Sequence, residues 1–127
     1  TASGGELSRV MLSLKSLLTK NTNLPTIIFD EIDSGVSGEV ADKVGQILAG
    51  MGKYMQVINI THLPQVASRG SRHFHVYKDD SGDATITRVK LLSPDERIME
   101  VARLLSGSEV TATAVKNAKE LLEAAKN

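Results

Sequence analysis

A strand–helix–strand pattern in the first half of the chain places the strongest constraint on its fold. Residues 26–29 and 56–61 are short runs rich in β-branched apolar side chains. Residues 39–51, between them, carry apolar side chains at helical spacing, namely Val40, Val44, Ile47, Leu48 and Met51. Two strands joined by one helix predict a right-handed βαβ unit with parallel strands. Apolar runs of this kind also favour strands buried on both faces of the sheet.

Helical and hairpin patterns account for the rest of the chain. Residues 6–20 are predicted to form an amphipathic helix, and residues 72–78 and 84–90 alternate as the strands of a hairpin around a turn at 79–83. Ser93-Pro94-Asp95-Glu96 is a capping box that starts a helix ending near Gly107. We expect Ser108 to cap a last helix. The 127 residues suit one α/β domain over 1–127, a parallel βαβ core with an added β-hairpin and two C-terminal helices.

Composition excludes several classes of protein and site. The 15 Lys and Arg residues balance 15 Asp and Glu residues, which weighs against this chain being a nucleic-acid-binding surface by itself. The chain contains no cysteine, so disulfides, thiolate zinc sites and a cysteine nucleophile are excluded. No apolar run approaches the roughly 20 residues that a membrane span needs. We therefore expect no membrane partner and a cytoplasmic location.

Acidic and imidazole side chains follow the two predicted parallel strands. Asp30 and Glu31 come directly after the first strand, and Thr61 and His62 end the second. Ligands of open α/β sheets bind at the carboxyl ends of the strands. An aspartate there can hold Mg²⁺, and the following glutamate can take a proton from an attacking water. The alternative is that Asp30 caps the next turn and Glu31 is merely solvated.

A second motif, Ser3-Gly4-Gly5-Glu6, stands at the start of the first predicted helix. Ser-x-x-Glu is itself a capping box, so a purely structural role is one interpretation. Paired glycines also let an anion approach the backbone N–H groups at the positive end of the helix. The motif alone leaves a helix cap and a phosphate contact equally open.

Taken together and in this order, the motifs resemble the C-terminal half of an ABC-type ATPase head, a P-loop NTPase fold, as found in the SMC group. Ser3-Gly4-Gly5-Glu6 resembles the family's signature motif and residues 27–31 its Walker B strand. Residues 32–35 resemble the D-loop, and His62 resembles the switch histidine. The resemblance covers almost the whole chain and is strongest to a bacterial member that acts in DNA double-strand-break repair.

The resemblance implies a role for each of these residues in binding and hydrolysing ATP. Asp30 would support Mg²⁺ and Glu31 would polarise the attacking water. His62 would contact the γ-phosphate or help to position that water. The remaining nucleotide contacts would come from Ser3, Gly4, Gly5, Glu6, Asp33 and Ser34, with Asp33 at the seam between two heads. Each site would then be shared between two protomers, so that hydrolysis requires an ATP-dependent dimer of heads.

The P-loop pattern G-x-x-x-x-G-K-[ST] does not occur in these 127 residues, since Tyr54 follows Gly52-Lys53 where serine or threonine is required. In the family this motif lies in an N-terminal lobe, beyond a long coiled coil. The resemblance thus implies a fragment without the Walker A lobe, cut at Thr1 from a longer chain and inactive towards ATP alone. Its implied partners are that N-terminal lobe, a second head, and DNA through the full-length protein at the bacterial nucleoid.

Other functions remain as alternatives. The same surface could belong to a non-catalytic docking lobe in which nucleotide only regulates association. A zinc site at His73 and His75 lacks further ligands at matching spacing, so a solvated strand face is the better interpretation. A DNA contact could use the locally basic stretch of Arg69, Arg72 and Lys78. A serine hydrolase could use Ser34 or Ser37 with His62 and Asp33, but the G-x-S-x-G elbow is absent.

Overall fold

The structure is a computed structural model that describes residues 9, 11–13, 15–16, 18, 23, 25–36 and 38–126. Its elements are β1 (Thr26–Asp30), α1 (Gly38–Met51), β2 (Gln56–Ile60), α2 (Pro64–Ala67), β3 (Phe74–Asp79), β4 (Ile86–Leu91), α3 (Pro94–Ser106) and α4 (Ala112–Ala125). The described residues between 9 and 18 are helical, in agreement with the helix predicted there. No helix in these ranges is long and apolar enough to cross a membrane.

The predicted βαβ unit is confirmed. Strands β1 and β2 pair in parallel, in a register that runs from Thr26 opposite Gln56 to Asp30 opposite Ile60. Helix α1 joins them, and its buried side chains recur every three or four residues, which is the spacing of one helical face. This face of α1 packs against residues from the helical segment before β1, from β1, from the turn before β2 and from the helix that follows β2. Together they form the main core: Leu12, Phe29, Val44, Leu48, Met51, Met55 and Val66.

One face of the β1–β2 sheet is open to solvent. Ile27 and Phe29 point to the core, whereas Ile28, which alternates with them, is 62% exposed. On β2, Ile58 and Ile60 are 44% and 49% exposed. The expectation of burial on both faces is therefore wrong for these strands, because the core helices pack against one side only.

The second half of the chain is a β-hairpin followed by two packed helices. Strands β3 and β4 pair antiparallel with Phe74 opposite Leu91, which confirms the hairpin with bounds shifted by one or two residues. Helices α3 and α4 meet through small and β-branched side chains that form a second core, namely Val101, Ala102, Ala114 and Ala118. Small residues at this interface let the two helices approach closely.

The helix starts are set by side-chain caps. The Ser93 side chain accepts a hydrogen bond from the Glu96 N–H, and the Glu96 carboxylate accepts one from the Ser93 N–H, so the predicted capping box is confirmed. The prediction that Ser108 caps the last helix is wrong. Thr111 is the cap, because its hydroxyl accepts from the Ala114 N–H at 3.0 Å.

The short helix α2, which sequence reasoning did not predict, links the two halves. Pro64 starts it and Arg97 of α3 closes it, donating from one guanidinium nitrogen to the carbonyls of Ala67, Ser68 and Gly70 at 3.0, 3.2 and 2.5 Å. These carbonyls lie at and just beyond the C-terminal end of α2, where a cation is favourable. Arg97 thereby fixes the segment that follows β2 against the C-terminal helices.

Candidate functional site

The carboxyl ends of β1 and β2 bring the predicted strand-end residues together. The Glu31 N–H donates to the Ile60 carbonyl at 2.9 Å and extends the parallel ladder by one residue. The chain then leaves both strands at one edge, with Glu31 on one side and Thr61 and His62 on the other. The prediction that the carboxylate and the imidazole share an edge of the sheet is confirmed.

Glu31 and His62 face each other across this edge. Glu31 Oε1 lies 3.6 Å from His62 Nδ1, and their side chains are 57% and 61% exposed. The backbone φ of Glu31 is +52°. Residues other than glycine uncommonly adopt a positive φ, and those that do are often found at functional positions. The Ser34 N–H donates to the Glu31 carbonyl at 3.2 Å and closes a tight turn around it. The result is an exposed carboxylate and imidazole close enough to share one water molecule.

Asp33 and Thr61 form a second contact between the same two loops. Asp33 is fully buried, and its Oδ2 accepts a hydrogen bond from the Thr61 hydroxyl. The same hydroxyl accepts from the Leu63 N–H at 3.0 Å. The resemblance implied that Asp33 contacts nucleotide at a seam between heads, whereas the structure encloses its carboxylate. Sequence reasoning gave Thr61 no role, and its only signal was its place at the strand end beside His62.

Asp30 and Ser34 are exposed at the same edge. Asp30 is the last residue of β1, and its carboxylate makes no hydrogen bond or ion pair with any described residue. A free carboxylate suits Mg²⁺, which takes one or two protein carboxylates and completes its shell with waters and phosphates. No cluster of three metal-binding side chains occurs among the described residues, so further ligands would have to come from elsewhere. The motif Ser3-Gly4-Gly5-Glu6 lies outside the described residues.

His73 and His75, at the start of the hairpin, are only partly exposed. His75 stacks on Tyr77 at 5.6 Å between ring centroids, and its Nε2 lies 4.0 Å from a carboxylate oxygen of Glu100 on α3. Burial, and to a lesser extent the charge of Arg97, lower the pKa of His73 below its usual value. The interpretation of His73 and His75 as a solvated strand face is therefore only partly right, because both residues are partly buried and the His75 ring lies near Glu100 of α3.

The remaining alternatives lose support in the described part of the chain. Arg69, which was counted in the basic stretch, donates to Asp42 at 2.9 Å and is largely covered. The hydrolase triad would need Asp33 to orient His62, but Asp33 binds Thr61 and His62 faces Glu31. Ser37, the other candidate nucleophile, lies outside the described residues.

Comparison with solved structures supports the fold. A structure from a study of ATP-driven dimerisation and DNA-stimulated activation of SMC ATPases matches with a TM-score of 0.68. The match covers 85% of this chain and 64% of the other at 21% identity. The described architecture therefore has the same fold as the matched part of that structure. No protein-family model matches the chain.

Comparison with curated sequences finds relatives that match almost the whole of this chain. The DNA repair protein RecN of Haemophilus influenzae is 46% identical over 122 residues, and that of Bacillus subtilis is 46% identical over 124. RecN of Rickettsia conorii is 51% identical over 121 residues. This chain is therefore similar, along almost its whole length, to one segment of RecN proteins. The matches cover 95–98% of this chain but 22% of each relative, so the chain spans about a fifth of the length of these RecN proteins.

Proposed function

We propose that this chain is the C-terminal part of a RecN-type head that binds and hydrolyses ATP in DNA double-strand-break repair at the bacterial nucleoid. The observation that carries the proposal is the exposed pair of Glu31 and His62, 3.6 Å apart at the ends of two parallel strands. The SMC-type fold and the relatives named as DNA repair proteins support it. DNA contacts are assigned to the longer protein, because this chain carries no net charge.

The proposed mechanism uses the residues at this edge for phosphoryl transfer. Glu31 accepts hydrogen bonds from the attacking water and draws its proton away, which is the role of a general base. His62 donates to the γ-phosphate and positions it. Asp30 would hold Mg²⁺, which would neutralise charge on the phosphates. Ser34 adds a contact to the nucleotide, a role that its exposure in the turn after Glu31 supports.

The exposure of the pair is the reason to propose a site shared between protomers. Phosphoryl transfer needs several donors around the γ-phosphate and a space from which bulk water is excluded. Glu31 and His62 are both more than half exposed. We propose that a P-loop lobe and a second head close over them, the latter through its Ser3-Gly4-Gly5-Glu6 segment.

The open face of the β1–β2 sheet supports an N-terminal lobe as the first of these partners. Ile28 and Ile58 are directly paired across the strands and project to the same exposed side, next to Ile60. Adjacent exposed isoleucines on a central sheet indicate a surface that another layer covers. Replacing Ile28 and Ile58 with serine is expected to leave the fold of this chain intact and to weaken its association with the lobe. Pull-down of the lobe by both variants measures this effect.

The test of the proposal is ATP hydrolysis by residues 1–127 assembled with a RecN-type N-terminal lobe, which we call the reconstituted head. Glu31→Gln is expected to lower kcat by about 10²–10⁴, the usual contribution of a general base. Glu39→Gln is the matched control, since Glu39 is an exposed carboxylate on α1 whose only ion pair among the described residues is with Lys43. Residues 1–127 alone are expected to turn over no ATP. A Glu31→Gln head with the wild-type rate would contradict the proposal.

A non-catalytic docking lobe is the second candidate. It is favoured by the apolar face of the hairpin, where Phe74 pairs with Leu91 and Val76 with Val89, all of them more than half exposed. In that case the reconstituted head would associate in a nucleotide-dependent way without hydrolysis at any concentration. Measuring the ATPase rate and the association of the same sample separates the two candidates.

A further inference from the structure

A partly buried hydrogen bond joins the two loops that carry the exposed Glu31–His62 pair. It joins Asp33, two residues after Glu31, to Thr61, the residue immediately before His62. Asp33 is fully buried, whereas the side chains of Glu31 and His62 are mostly solvent-exposed. The bond therefore connects the two loops that carry the proposed reacting groups through a carboxylate that is itself fully buried.

Hydrogen bonds to the backbone fix Asp33 and Thr61 within their own loops. The turn that contains Asp33 is closed by N–H groups of Ser34 and Val36, which donate to the carbonyls of Glu31 and Asp33 at 3.2 Å each. On the other loop, the Thr61 hydroxyl donates to Asp33 and accepts from the Leu63 N–H, so its rotamer is fixed from both sides. Rotation of either loop would break one of these bonds.

The burial of Asp33 indicates that this residue fixes one conformation of the two loops and adds little to the stability of the fold. Its second carboxylate oxygen, Oδ1, is buried and has no hydrogen-bond partner among the described residues. A carboxyl group that is desolvated but only half satisfied contributes little net stability, and groups of this kind are kept in some proteins because they specify one conformation. An exposed pair such as Glu31 and His62 cannot hold its own geometry, since exposed ion pairs are weak and mobile.

We propose that Asp33 and Thr61 are positioning residues, which hold Glu31 and His62 in register with each other and do not contact the nucleotide. This inference rests on the proposed function for its kinetic consequence. A misplacement of about 1 Å at a reacting group can cost about 10²-fold in rate. Loss of the Asp33–Thr61 bond is therefore expected to lower kcat and to leave the KM for ATP nearly unchanged.

The test uses variants of Thr61 in the reconstituted head. Thr61→Val keeps the shape but removes the hydroxyl, and we expect kcat to fall about 10- to 100-fold. Thr61→Ser keeps the hydroxyl and is expected to recover most of that loss. Asp33→Ala combined with Thr61→Val should cost no more than either change alone, because both remove one bond. Val101→Ala, in the second core, controls for a general loss of stability.

A structural readout accompanies the kinetics. In a crystal structure of the Thr61→Val head, the Glu31–His62 contact is expected to lengthen well beyond 3.6 Å or to lose its order. An unchanged contact, an unchanged kcat in an active head, or an increase confined to KM would overturn the positioning role. If the wild-type head hydrolyses no ATP, the proposed function fails, and the structural readout alone then decides whether the two residues position the pair.

Discussion

Gly45 is the position where the packing around the proposed site is most sensitive to one added atom. It is buried in the middle of α1, opposite the short helix α2 that follows His62. A Cβ there would lie 3.0 Å from the Gln65 carbonyl oxygen, 3.0 Å from Arg69 Cγ and 3.5 Å from Val66 Cα. Favourable contacts between carbons begin at about 3.5 Å, so two of these three neighbours would have to move.

The expected cost follows from two opposing terms. Alanine is favoured over glycine in a helix interior by about 0.8–1 kcal/mol. Overpacking of a well-filled interior costs about 1–3 kcal/mol. The neighbours cannot yield easily, because one is a backbone carbonyl and Arg69 is held by its 2.9 Å ion pair with Asp42. Gly45→Ala is therefore expected to destabilise the chain by about 0–2 kcal/mol net, with α2 displaced.

Gly50→Ala is the matched control, since Gly50 lies in the same helix and a Cβ there meets nothing within 4 Å. It is expected to stabilise the chain by up to about 1 kcal/mol. Urea unfolding followed by circular dichroism measures both variants, and the difference between them isolates the cost of the close approach at about 1–3 kcal/mol. If Gly45→Ala stabilises the chain as much as Gly50→Ala does, the argument for close packing of α1 on α2 is refuted.

Three further predictions concern the core, a helix cap and a surface ion pair. Leu48→Ala, in the main core, is expected to lower the free energy of unfolding by about 2–5 kcal/mol in urea titrations, and a smaller loss would mean that the site collapses around the gap. Ser93→Ala removes the cap of α3 and should cost about 1 kcal/mol by the same assay, with Ser93→Gly costing less. The Lys90 ammonium and the hydrogen bonds from Ser93 lower the pKa of Glu96 to about 2. Its contribution to stability is therefore present above about pH 4.5 and is lost as the pH falls towards 2, and Glu96→Gln should flatten the pH dependence of the urea midpoint over that range.

Local signals in the sequence were sufficient to predict most of the elements. The β-branched runs and the helical spacing between them predicted the parallel βαβ unit, because both periodicities are direct consequences of backbone geometry. The Ser93 capping box was equally local, with donor and acceptor three residues apart. The helix at 64–67 was missed because four residues are too few to show a helical period. The cap was wrongly assigned to Ser108 because Ser108 and Thr111 both carry a hydroxyl that can cap a helix. Only the backbone geometry at each residue decides which of them does so.

Long-range features were less accessible to sequence reasoning. The meeting of Glu31 and His62 could be predicted, because parallel neighbouring strands place their carboxyl ends at one edge. The bond between Asp33 and Thr61 could not, since it depends on which side chains turn inward beneath that edge. The exposure of Ile28 could not be predicted either, because its apolar character fits a buried position and only the packing of neighbouring layers shows which face is uncovered.

The proposal that Glu31 and His62 form half of a shared site is tested most directly by the ATPase rate per head as a function of concentration. The reconstituted head is expected to show a rate per molecule that rises with protein concentration and levels off as heads dimerise. Glu31→Gln should lower this rate by about 10²–10⁴ at every concentration. A rate per head that stays constant down to concentrations at which light scattering shows only monomers would contradict the shared site.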